Sequence, residues 1–408
     1  MTAEMTVPRE GPWWGTDAHR TYLLADAQRQ LDFFRRSLDP AGGFHAQDFD
    51  GNPIPGAARE LHATTRMVHS FAIGQLAGFT DTKSMIDHGM EALWKHHRDT
   101  KHGGYVWAFE PDGVVLDDRK LAYGHAFVLL AGASAKMGGH PDADRLIADV
   151  MEVIDTRFWD HALGRMKEEY TRGWQTFSSY RGMNANMHMS EALLAAAEAT
   201  GDRTYAARAR KIFDFFVGEI GAAHDWRLPE HYTEDWQIDP DYEGNPMFRP
   251  KGATPGHSFE LARLLLQLRD MGGGHDAQLL EWSRNLYRRA RADGWDEERG
   301  GLFYTVDPAT GKPLRRSRYW WPVTEAIGAA AAMIKAGEDC AEDYRLFWET
   351  GETLFIDSKR GGWLPEVDNA GKPDGRQFAG KPDIYHSLQA ALYPLMPGLT
   401  GFAKGRPA

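Results

Sequence analysis

Four histidines, an arginine and a tryptophan recur along the chain at almost constant intervals. Arg66, His125, His188, His257, Trp321 and His386 are separated by 59, 63, 69, 64 and 65 residues. An imidazole titrates near neutrality, so it can accept a proton and return it at physiological pH. A guanidinium is a permanent cation that can stabilise a developing oxyanion. Gathered around one cavity, these groups suit a site for acid–base chemistry. His188 with Glu191 and His257 with Glu260 are three residues apart, so each pair shares one helix face. Two such pairs could also form a binuclear metal site. No His-Glu-x-x-His and no acidic cluster accompanies them, and the expectation is no metal and no cofactor. In the alternative reading each glutamate takes a hydrogen bond from its imidazole or from a sugar.

A repeat positions these residues. Gly42-Gly43-Phe44, Gly103-Gly104-Tyr105, Gly300-Gly301-Leu302 and Gly361-Gly362-Trp363 each precede a turn rich in Asp and Gly. The step from Gly42 to Gly103, and from Gly300 to Gly361, is 61 residues. Further steps of 61 reach Gly164 and Asp225, which makes six units. Between the turns lie segments of helical period, apolar on most of their circumference: 58–78, 121–137, 183–199, 258–268, 321–334 and 384–395. A second set is more charged and amphipathic: 21–38, 82–97, 143–158, 205–217, 277–291 and 340–355. Six pairs of helices predict an all-α (α/α)6 barrel of twelve helices, with short β-hairpin loops on one rim. The expected domain is a single catalytic barrel over residues 1–408, with extended tails at about 1–13 and 399–408. Polar residues at matched places on six inner helices would converge on the barrel axis. His88, His96, His97, His102, His140, His161, His224 and His275 fall on the outer helices or turns and read as surface residues.

Composition restricts the partners. The chain has 58 acidic and 47 basic residues, a net charge of −11, which argues against nucleic acid or an anionic membrane surface. No stretch approaches about 18 apolar residues and no signal-peptide pattern is present, so a cytoplasmic enzyme is expected. The single cysteine, Cys340, has acidic neighbours and reads as structural. Fourteen tryptophans, many in loop-like segments, suit a small carbohydrate, whose C–H faces stack on aromatic rings.

Thr65-Arg66-Met67, Tyr180 to His188, Thr254-Pro255-Gly256-His257 and Asp383-Ile384-Tyr385-His386 together resemble the N-acylglucosamine 2-epimerase superfamily, in its branch of aldose–ketose isomerases. The resemblance spans roughly residues 14–397. It implies a metal-free isomerase that interconverts D-mannose and D-fructose, with D-lyxose and D-xylulose as further substrates, through a cis-enediol. It implies His257 and His386 as the acid/base pair and His188 as the residue assisting ring opening. Arg66, Tyr123, Asn184, Glu260 and Trp321 would hold the monosaccharide, with His125 in the same ring. Glu230 and His231 match a loop motif that lies near the sugar. Arg249 is a potential anion partner at the barrel mouth. Pro382, which offers no donor where the sulfosugar enzymes carry a polar residue, favours an uncharged hexose over sulfoquinovose. Sugar 2-epimerases, a glycoside hydrolase built on Glu191, Glu260 and Glu325, and a non-catalytic sugar-binding protein are the rival readings.

Overall fold

The computed structural model describes residues 6–399, in which twelve α-helices alternate between nearly enclosed and half-exposed. The chain divides into two compact units. The first comprises residues 6–36, 47–52 and 254–399, and the second 37–46 and 53–253.

In the second unit α2 (Leu61–Leu76), α4 (Ala122–Met137) and α6 (Met183–Thr200) lie side by side. Each is backed by the helix that follows it: α3 (Lys83–Ala92), α5 (Ala143–Val153) and α7 (Arg203–Phe213). Thirteen of the 16 residues of α4 are buried, against five of the 10 in α3. That contrast is the one the sequence pattern anticipates, because a helix apolar all round needs neighbours on every side. The first unit repeats the scheme. Here α8 (Pro255–Met271), α10 (Trp320–Lys335) and α12 (Tyr385–Leu392) are the enclosed helices. They are backed by α9 (Ala277–Gly294), α11 (Ala341–Thr350) and α1 (Asp17–Phe34).

Four of the half-exposed helices, α3, α5, α7 and α11, widen into a π turn at their C-terminal ends, as at Leu93–His97 and Gly351–Phe355. Sequence periodicity is blind to a one-residue change of this kind. After α1, α3, α9 and α11 a tight hairpin pairs Leu38 with Phe44, Arg98 with Tyr105, Trp295 with Leu302 and Ile356 with Trp363. Both glycines of each Gly-Gly pair have positive φ, for instance 77° at Gly103 and 74° at Gly104. Two successive left-handed residues require glycine, which explains the motif.

A second device sets where the enclosed helices begin. The first backbone N–H of α2 donates to Trp107, that of α4 to Glu168, that of α6 to Glu230 and that of α10 to Pro365. In each case the acceptor carbonyl lies in the hairpin of the next repeat. A basic residue just before three of the enclosed helices, two positions before α2 and α4 and four before α12, anchors the chain to the preceding turn. Arg59 binds Asp39 at 2.6 Å, Lys120 binds Asp99 at 3.0 Å and Lys381 binds Asp357 at 2.9 Å. These buried pairs hold the helix starts, and the polar residues on them, in register.

Three expectations need correction. His97 is fully buried rather than at the surface: its Nδ1 lies 3.1 Å from the Val106 carbonyl and its Nε2 3.2 Å from the Thr64 hydroxyl. Of the expected N-terminal tail, Trp13 packs against Tyr22 and Trp348, and the Val7 N–H donates to Glu352 at 3.2 Å. Apolar burial outweighs the freedom of a chain end there. The expected C-terminal tail, apart from its first residue, and residues 1–5 lie outside the described residues. His125, the third, is treated with the site.

Candidate active site

The first unit gathers His257, Trp321 and His386 from its three enclosed helices. The Trp321 ring lies between the two imidazoles, 5.0 Å from His257 and 5.6 Å from His386, tilted by 33° and 34°. This packing explains Gly256: a Cβ there would come within 2.5 Å of the Trp321 ring. Pro255 opens α8, where its missing N–H costs nothing.

Behind His386 runs a chain of charged groups. Its Nδ1 is 2.7 Å from Glu325 Oε1. Glu325 Oε2 accepts from Arg263 at 3.3 Å, and Arg263 lies 4.0 Å from Glu260. All four side chains are buried. A carboxylate on Nδ1 fixes the ring orientation and tautomer, which directs Nε2 to proton exchange, and it stabilises the imidazolium. Ligand atoms of Glu260, Glu325 and His386 lie within 4.8 Å of one another, so these three could also grip a cation. The Arg263 guanidinium already places a fixed positive charge against both carboxylates, which disfavours a metal ion there.

The second unit gathers Arg66, Tyr123, Phe127 and His188. Arg66 donates to the Tyr123 hydroxyl at 2.8 Å, and its guanidinium sits 4.6 Å from the centre of the Phe127 ring. His188 packs 5.2 Å from Tyr123 and 4.7 Å from Phe127. Its Nδ1 is 3.8 Å from Glu191 Oε2, within ion-pair range but beyond a hydrogen bond.

A cavity of about 290 Å³ opens in this unit, lined by Trp107, Tyr123, Asn184, Tyr180, Glu168, Glu169 and Arg249 among others. Asn184 reaches the Phe248 carbonyl at 3.5 Å. Arg249 contacts Glu169, lies 3.8 Å from Glu168 and stacks 4.0 Å over the Tyr180 ring. Burial pushes Glu168 up to about 7, although Arg249 opposes the shift. Burial likewise pushes the Cys340 thiol up to about 11, in keeping with a structural cysteine.

His125 is not presented to this cavity. It is fully buried, its Nε2 accepts from the Tyr105 N–H at 3.1 Å, and its Nδ1 is 2.8 Å from the Leu121 carbonyl. Burial lowers its pKa to about 3, so it is a neutral structural group. The signal that separates it from the others is the period itself. A step of 61 from Arg66 reaches Phe127, and another reaches His188. His125 falls two residues short, about 200° around the helix at about 100° per residue. The same step links Glu325 to His386, and it also joins His62, Tyr123 and Asn184. His231 is held in the loop by the Tyr180 hydroxyl at 2.9 Å and the Pro250 carbonyl at 2.8 Å, and burial lowers its pKa. The neighbouring Glu230 is buried, and its backbone carbonyl receives the first N–H of α6. Arg263, Glu168, Glu169 and Trp107 escaped sequence reasoning, although the step of 61 joins Trp107 to Glu168 and Glu169 to Glu230.

The family described as N-acylglucosamine 2-epimerase matches residues 42–390. The chain is 41% identical to a D-mannose isomerase of Thermobifida fusca, over 94% of this chain and 96% of that protein. It is 40% identical to a D-mannose isomerase of Pseudomonas cannabina pv. alisalensis, over 94% of each. Among solved structures, a D-mannose isomerase crystal structure superposes with a TM-score of 0.86 and 32% identity, covering 95% of this chain and 99% of the other. The expected fold class, an all-α (α/α)6 barrel, is borne out by that likeness.

Proposed function

The chain belongs to the N-acylglucosamine 2-epimerase family, and from that premise we propose that it isomerises D-mannose to D-fructose by proton transfer. The observation that carries the reading furthest is the 2.7 Å contact between His386 and Glu325, with Trp321 packed between His386 and His257. His386 and His257 form the acid/base pair. One imidazole removes the proton from C2 of the open-chain aldose. The electron pair left at C2 forms the C1–C2 double bond, and O1 gains a proton. The resulting cis-enediol then loses its O2 proton as C1 is protonated, which leaves the carbonyl at C2. Aldose and ketose are isomers, C1 being reduced as C2 is oxidised, so the chemistry calls for no redox partner. His188 assists opening of the pyranose. Arg66, Tyr123 and Asn184 hold the hydroxyls, and a guanidinium fixed on an aromatic face costs little to reorganise as charge develops.

Names of the relatives favour mannose as the aldose. The test is to incubate the protein with D-mannose in heavy water and follow the sugars by NMR. Fructose should appear, with deuterium entering at C1 to the extent that the imidazole proton exchanges with solvent. Absence of fructose, or formation of glucose in its place, would overturn the reading.

A further inference from the structure

The cavity in the second unit has two arginines on its wall, and both are already neutralised. Arg249 contacts Glu169 Oε1, has Glu168 Oε2 at 3.8 Å and donates to the Tyr242 hydroxyl at 3.4 Å. Glu169 is itself held in place, since its Oε2 accepts from the Ser178 hydroxyl at 3.0 Å. Arg119, the other cation on the wall, is gripped through its Nε by both oxygens of Asp117, each at 3.0 Å. Glu168 is 4% exposed, and its Oε1 has no hydrogen-bond partner among the described residues. Glu60 adds a further carboxyl to the lining. Three carboxyl groups therefore share the lining with two guanidiniums, and each guanidinium is already paired with a carboxylate, Arg249 with Glu169 and Arg119 with Asp117.

We propose that Glu168 and Glu169 fix the substrate class of this cavity, occupying Arg249 so that uncharged sugars enter and sugars bearing a phosphate or sulfonate are refused. The proposal rests on the sugar-isomerase reading and deepens it. An anionic substituent would have to displace a carboxylate from Arg249 and leave that carboxylate buried without its partner. An uncharged hydroxyl pays neither cost and can donate to Glu168. Refusal of the wrong substrate by a built-in repulsive group is a common route to specificity.

The test compares kcat/KM for D-mannose and D-mannose 6-phosphate in the wild type, in Glu168→Gln, in Glu169→Gln and in the double variant. A 6-sulfonated aldose serves as a second anionic arm. The wild type should favour mannose over its phosphate by about 100-fold or more, and the double variant should close that gap by about 10-fold through a gain on the phosphosugar. Asp117→Asn, which releases Arg119 by a separate route, should move the ratio in the same direction and guards against a double variant that does not fold. A ratio that stays within about twofold of wild type in every folded variant would overturn the proposal, as would equal use of both sugars by the wild type. If the wild type does not turn over mannose at all, the isomerase reading fails. Calorimetric binding of the two sugars then still decides on charge: tighter binding of mannose supports the selection, and equal affinities end it.

Discussion

His188 and His386 stand on matched scaffolds, each near the start of a buried helix, yet their surroundings differ. His188 is shelved between the rings of Tyr123 and Phe127, and its carboxylate neighbour, three residues along the same helix, is 3.8 Å away. The partner of His386 comes from another helix, 61 residues back, and makes a 2.7 Å contact. Behind that partner lies Arg263, while His188 packs against two aromatic rings. Residues three apart on one helix share a face, but their side chains leave it in nearly parallel directions. A side chain from a facing helix can meet an imidazole nitrogen head-on. The repeat thus fixes where a polar residue sits, and the neighbouring helix fixes what it can do. The first unit's arrangement suits a group that must hold and release a proton. The second unit's arrangement suits one that binds and polarises.

The contrast can be broken in three ways. His386→Ala should have the largest effect, a loss of about 10³-fold or more in kcat with sugar binding retained. A nearly unchanged rate would remove His386 from proton transfer. Glu325→Gln comes next, with kcat falling about 10²-fold, KM little changed and Glu325→Asp recovering part of the loss. Glu191→Gln should cost only a few-fold in kcat, and equal losses from the two glutamine variants would erase the distinction between the units.

The smallest effect on turnover belongs to His125→Phe. It should leave kcat per folded molecule unchanged while destabilising the fold by about 1–3 kcal/mol, because the Tyr105 N–H loses a buried partner. The same residue bears on acid stability. The folded pKa of His125, and of His97, is depressed to about 3, below the ordinary value of 6.5. Below 6.5 the unfolded chain binds protons that the folded chain does not, so their contribution is present above 6.5 and is lost as pH falls toward 3. Thermal melts between pH 7 and 4 should show this decline, and a smaller one in His125→Phe. Identical pH slopes for the two proteins would show that His125 is not buried as a neutral group.

Much was legible in the sequence, because burial is periodic. The enclosed helices read as apolar all round, the Gly-Gly pairs as tight turns, and the spacing of 61 as a repeat whose helix starts carry the polar residues. A strict step of 61 would even have chosen Phe127 over His125. The pairing of Glu325 with His386, the locking of Arg249 by Glu169 and the buried neutrality of His125 were decided only by the tertiary structure. Periodicity records which side of a helix is enclosed, to within a fraction of a turn. A hydrogen bond depends on a few tenths of an ångström between atoms far apart in the chain, and spacing along one helix does not carry that information.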